Sequence, residues 1–134
     1  MITLDELETI AQERLLDADA LIAAGRYDGA AYICGYAIEL SLKAKICKTL
    51  KWSDFPSSSK EFQNYQSFKV HNLDVLLHLS GMEGEIKTNH MADWSNVSAW
   101  NPESRYKTNS LTSELEATKA TTMLNSVKRL ITIL

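Results

Sequence analysis

Apolar residues recur at intervals of three and four from the start of the chain: Leu4, Leu7, Ile10, Ala11, Ala18, Leu21 and Ile22, with Asp5, Glu6, Glu8, Gln12, Glu13 and Asp19 largely between them. That spacing gathers side chains on one face of an α-helix, so it predicts an amphipathic first helix. The ends carry matching chemistry. Thr3 and Glu6 stand at capping-box spacing, acidic residues crowd the first turn where the helix dipole favours them, and Gly25 can take the left-handed stop. The next stretch, Tyr27 to Leu50, has a different pattern, because Ala30, Ala31, Tyr32, Ile33, Cys34, Tyr36, Ala37, Ile38, Leu40 and Leu42 leave almost no polar face. A helix apolar all round is a buried one, which places this second helix at the centre of a bundle. Gly29, Ala30, Ala31, Gly35 and Ala37 would let its neighbours approach closely. Asp28 is the expected N-cap, and Lys43, Lys45, Lys48 and Lys51 gather at the C-terminal end, where positive charge complements the dipole.

From Ser53 to Lys69 the period is lost and Pro56, three consecutive serines and scattered aromatics predict an excursion of mixed coil. A short helix follows over His71 to Leu79, closed by Gly81, with Asn72 or His71 near its start. A further helical stretch is expected from about Met82 to Trp100, broken by Asn101-Pro102 and followed by a connector over Glu103 to Lys107. The last helix is expected from about Thr112 to the end, with Leu115, Met123, Leu124, Val127, Leu130, Ile131 and Leu134 on its apolar side, Ser110 or Thr112 as cap, and Glu114 and Glu116 in its first turn. No repeat is visible.

Composition narrows the class. At 134 residues, 45% hydrophobic and 23% charged, the chain suits one globular domain spanning 1–134 with one core. Five Gly and two Pro are few for turn-rich all-β folds, which leaves all-α in front. A net charge of −3 argues against a surface broadly given to phosphate backbones, while leaving room for a local basic patch. The start, Met1-Ile2-Thr3-Leu4-Asp5-Glu6, lacks the cationic and apolar runs of a signal peptide, and no window reaches the ~20 apolar residues of a membrane span, so a soluble cytoplasmic protein is expected. Cys34 and Cys47 fall on different turns and faces of one helix and read as reduced core thiols.

Candidate chemistry is sparse. Glu39 and Lys43 stand at i and i+4 in the orientation that suits a helix ion pair, and Glu39 could instead reach Arg105 from another segment. Arg105 and Tyr106 follow a Pro-containing break, as a phosphate fork beside a stacking ring or as an anchor for the connector. His71 and His78 share a helix face but lie two turns, ~10 Å, apart, beyond one metal ion, and His90 has no companion, so neither a metal nor a cofactor is expected. The chain contains no Gly-rich phosphate loop with Lys-Ser/Thr, no His-Glu-x-x-His and no Cys-x-x-Cys.

Three stretches together resemble the HEPN (higher eukaryotes and prokaryotes nucleotide-binding) domain family: Glu13-Arg14-Leu15-Leu16-Asp17-Ala18, Gly25 to Tyr32, and Gly35-Tyr36-Ala37-Ile38-Glu39-Leu40-Ser41-Leu42-Lys43-Ala44. His71-Asn72-Leu73 with Leu76-Leu77, and Trp100 followed by Ser104-Arg105-Tyr106, are similar to the later part of the same pattern. The central helix is the most specific part, since it sets one carboxylate in an apolar run, which is costly unless the acid is partnered. The resemblance implies an antiparallel bundle of four to five helices that forms a homodimer. It further implies a binding or regulatory component of a toxin–antitoxin or defence module with a nucleotidyltransferase partner, and nucleotide or RNA as ligand, with Glu39, Lys43, Arg105 and Tyr106 framing any ligand cleft. Some relatives are metal-independent ribonucleases with an Arg followed four to six residues later by a His. Arg105 and Tyr106 match the family's Arg-Tyr position, but Tyr106 to Thr112 contains no His, which argues against a ribonuclease of that kind. A divergent ribonuclease using Arg105, Tyr106 and either Asn109 or His71 is the alternative.

Overall fold

The computed structural model describes residues 1–102 and 113–134. Among them the order is β1 (Ile2–Thr3), α1 (Leu4–Ala23), α2 (Tyr27–Leu50), β2 (Asp54–Phe55), α3 (Leu73–Ser80), α4 (Glu83–Asn89), α5 (Met91–Val97) and α6 (Ser113–Ile133), with 3-10 turns at Glu61–Asn64 and Gln66–Phe68. The fold is an all-α bundle, as the hydrophobic pattern predicts. No helix among the described residues is long and apolar enough to cross a membrane.

Local sequence accounts for the ends of α1. The Thr3 hydroxyl accepts from the Glu6 amide at 3.1 Å while the Glu6 carboxylate accepts from the Thr3 amide at 3.0 Å, a complete capping box. Gly25, at φ +75°, turns the chain back, and the Arg26 amide donates to the Leu21 carbonyl at 2.8 Å. The helix after this turn starts two residues earlier than an Asp28 cap would set it: Arg26 is the N-cap without a side-chain bond, and Asp28 lies in the first turn. There the dipole still favours its charge.

Two ion pairs fix how the long helices run. Glu8 near the start of α1 meets Lys48 near the end of α2 at 2.7 Å, so the two are antiparallel. Asp19, late in α1, meets Lys128, late in α6, at 3.0 Å, and Glu8 and Leu134 line one groove, so α6 is antiparallel to α1 as well. Helix α2 occupies the centre, with Ala30, Cys34, Ala37, Ile38, Leu42, Ala44, Ile46 and Cys47 buried. Burial pushes the Cys34 thiol up to about 12 and raises that of Cys47, which suits inert core thiols.

Three segments add to or depart from the sequence pattern. The 53–69 excursion is irregular, as expected, but is ordered around an aromatic cluster: β2 pairs antiparallel with β1, Phe55 is buried, and Trp52 packs on Tyr65 and Phe68 at centroid distances of 5.4 and 5.0 Å. The stretch from Met82 to Trp100 is two short helices, because His90 leaves the helical region (φ −135°, ψ 28°) and re-aims α5 so that Trp94 and Val97 turn inward beside Ile86. In α6, Met123, Leu124, Val127 and Leu130 are buried as expected, whereas Leu115 is 45% exposed. The expected caps Ser110 and Thr112 lie outside the described residues.

A polar clasp joins α5 to α6. The Arg129 guanidinium donates to both carboxylate oxygens of Asp93, at 2.7–3.0 Å, and Ser126 donates to Asp93 at 3.0 Å while accepting from Asn96 at 2.9 Å. The hydrogen bonds from Arg129 hold the Asp93 carboxyl below its ordinary value of 3.8, with Ser126 assisting against partial burial. A lowered folded-state value means the clasp stabilises the fold above the ordinary aspartate range and loses that contribution as pH falls through the lowered value. Acid unfolding of Asp93→Asn, followed by circular dichroism, is expected to begin from a lower baseline stability and to be flatter below pH 4 than that of the wild type.

Candidate functional site

A single buried carboxylate interrupts the apolar surface of α2. Glu39 is 2% exposed, and a buried acid requires partners. One partner comes from its own helix: Lys43 Nζ lies 3.5 Å from Glu39 Oε2, the predicted i, i+4 pair, and sits 5.5 Å from the Phe55 ring centroid. The other comes from the chain entering α3. His71 Nδ1 lies 2.7 Å from Glu39 Oε1. A carboxylate only accepts, so Nδ1 carries the proton of this hydrogen bond and Nε2 is left for another partner. The His71 side chain is 60% exposed, so Glu39 orients a ring that solvent can reach.

The next residue holds His71 in place. Asn72 is the N-cap of α3, with Oδ1 accepting from the Asp74 and Val75 amides at 3.0 and 3.2 Å. Gly81, at φ +79°, closes the same helix, and Trp94 Nε1 donates to Asp74 at 3.0 Å from α5. The pair His71-Asn72 is thus set on a tethered helix start.

Beside it an aromatic wall rises from α2. Tyr32 and Tyr36 stand edge to face with ring centroids 5.2 Å apart and hydroxyls 3.3 Å apart, and Tyr36 meets Trp100 at 5.1 Å and 75°. Trp100 reaches this place because position 35 is glycine: a Cβ there would overlap the indole. The fit has a cost, since among the described residues the buried Trp100 Nε1 has no hydrogen-bond partner. Between wall and helix start lies a cleft of about 510 Å³ lined by Tyr36, His71, Asn72, Ser98, Ala99, Trp100, Asn101 and Pro102. That volume suits a small organic ligand.

Of the residues singled out from sequence, Glu39, Lys43 and His71 come together here, whereas Arg105, Tyr106 and Asn109 lie outside the described residues. Among the described residues, the partner that meets Glu39 across the fold is His71. His78 and His90 pair loosely with Glu83 and Glu85, at 3.6 and 3.8 Å, away from the cleft lining. No group of three or more His, Cys, Asp or Glu among the described residues could hold a metal ion. The contribution of Tyr36 and Trp100 was not legible in advance, although Gly35 in the close-packed helix hinted at a neighbour there.

The fold and this cleft define a helical-bundle domain with a carboxylate-oriented histidine beside an aromatic wall. The sequence matches no protein-family model, and comparison with curated proteins and with solved structures returns no match either.

Proposed function

We propose that this chain is an HEPN-type binding or regulatory component of a toxin–antitoxin or defence-like module, and that it takes a nucleotide or a segment of RNA in the cleft beside His71. One observation carries the reading: the lone buried acid of the central helix, Glu39, is spent on orienting His71 at the mouth of a cleft walled by Tyr36 and Trp100. Aromatic faces stack on bases of any sequence, which suits such a ligand. The antiparallel helical bundle with a partnered carboxylate in its central α2 supports this reading. By the family resemblance the protein works as a homodimer with a nucleotidyltransferase partner, and the absence of signal-peptide and membrane-span patterns in the sequence supports a place in the cytoplasm.

The test is a thermal-shift titration with nucleoside monophosphates and a short single-stranded RNA. Ligand at a hundred times its dissociation constant adds about 2.7 kcal/mol of apparent stability, so binding appears as a rise in Tm of several degrees. No shift at millimolar ligand would sink the reading.

One observation favours a second reading, a divergent metal-independent ribonuclease. A histidine whose Nδ1 is held by a carboxylate is arranged as a general base, with Nε2 turned to a substrate proton. In that case Arg105, Tyr106 and Asn109 follow the cleft in the chain as further candidates. RNA cleavage that persists in chelator and disappears in both His71→Asn and Arg105→Ala supports it, and intact RNA after incubation with the wild type rejects it.

A further inference from the structure

We infer that the cleft recognises its ligand through the edge and face of a heteroaromatic base, by a donor–acceptor pair on His71 and Asn72, rather than through a phosphate. The inference rests on the nucleotide or RNA reading above and specifies which part of the ligand the site grips. Two consecutive side chains line the cleft with half of each already committed elsewhere. His71 gives its Nδ1–H to Glu39, 2.7 Å away, which leaves Nε2 for the ligand, an acceptor whenever the ring is in its Nδ1–H neutral form. Asn72 gives its Oδ1 to the amides of Asp74 and Val75, which leaves its Nδ2 donors. The commitments fix both side chains and also fix which kind of group each has to offer.

An acceptor next to a donor matches the polar edge of a nucleobase, where a ring nitrogen or carbonyl adjoins an amino or imino group. Tyr36 and Trp100 supply the apolar faces that such a ring stacks against. A phosphate calls for several convergent donors or a guanidinium fork. Among the described residues the cleft lining holds neither Lys nor Arg, and Lys43 is held on Glu39.

The test compares binding of four probes by calorimetry: adenosine or cytidine, the corresponding 5′-monophosphate, ribose 5-phosphate, and a short single-stranded RNA. The inference expects the nucleoside to bind within a few-fold of its monophosphate and ribose 5-phosphate to bind no better than inorganic phosphate. A tighter fit of the RNA assigns the base to a strand, and a tighter fit of the monophosphate assigns it to a free nucleotide. The decisive variant is Asn72→Asp, which keeps an Oδ1 able to cap α3 but replaces the amide donor, so the fold stays intact. It is expected to weaken the uncharged nucleoside about tenfold. Binding of ribose 5-phosphate as tight as that of the monophosphate, or an Asn72→Asp protein that holds the nucleoside as the wild type does, overturns base recognition while leaving nucleotide binding in place. Failure of all four probes overturns both.

Discussion

Adding one methyl group at Gly35 is expected to destabilise the domain by about 2 kcal/mol and to remove the aromatic wall of the cleft. Two effects oppose each other at this position. Alanine is favoured over glycine inside a helix by about 1 kcal/mol, so the substitution would stabilise α2 if space were free. Space is not free, because the new Cβ would fall within the Trp100 indole, and Gly35 is buried. The ring must leave, taking with it the contact with Tyr36 and the burial of its own surface. Gly29→Ala is the internal control. Its Cβ would meet Leu21 at 3.7 Å, an ordinary contact, so the propensity gain should be realised there. Urea unfolding of the two variants should therefore give shifts of opposite sign, with a red-shifted tryptophan emission in Gly35→Ala alone. Equal stability of the two would mean that Trp100 does not rest on α2.

The second large effect falls on Glu39. Glu39→Ala is expected to cost about 3 kcal/mol, toward the low end for breaking a buried ion pair, because His71 is well exposed and can regain water while Lys43 is 15% exposed. Glu39→Leu should cost less than Glu39→Ala, by about 1–2 kcal/mol. Leucine refills the space in an apolar helix, and the Lys43 stem can carry its ammonium to the surface. The pair of variants separates fold from function. If Glu39 orients His71 for a ligand, Glu39→Leu keeps more of its stability than Glu39→Ala in denaturant titration and loses ligand binding. A Glu39→Leu protein that binds as the wild type does would reduce Glu39 to a structural ion pair.

The bundle was legible because its signals are local. Thr3 and Glu6 cap α1 through contacts three residues apart, Gly25 and Gly81 occupy the left-handed positions that favour glycine, and the apolar run of α2 admits only a central place. Errors arose where a distant partner decides. Asn89-His90 carries no strong break signal, yet the chain bends there to bury Trp94 and Val97. The aromatics between Trp52 and Phe68 have no period because they meet one another rather than lie along a helix face. The cleft was half legible. A carboxylate inside an apolar helix announces that a partner exists, and Lys43 at i+4 is readable from spacing, but His71 is 32 residues away and its approach depends on the turn into α3. Asp93, Ser126 and Arg129 were missed for the same reason, since a clasp between α5 and α6 leaves no trace in either helix alone.

The most direct measurement is amide and side-chain chemical-shift mapping on the labelled protein, titrated with a nucleoside monophosphate and with short single-stranded RNA. A ligand site at Glu39 and His71 requires the largest shifts at Tyr36, His71, Asn72, Ser98 and the Trp100 indole, with the His71 ring signals moving and the α1–α6 groove silent. Shifts concentrated in that groove or around Trp52 and Tyr65, with His71 and Trp100 unmoved, would contradict it.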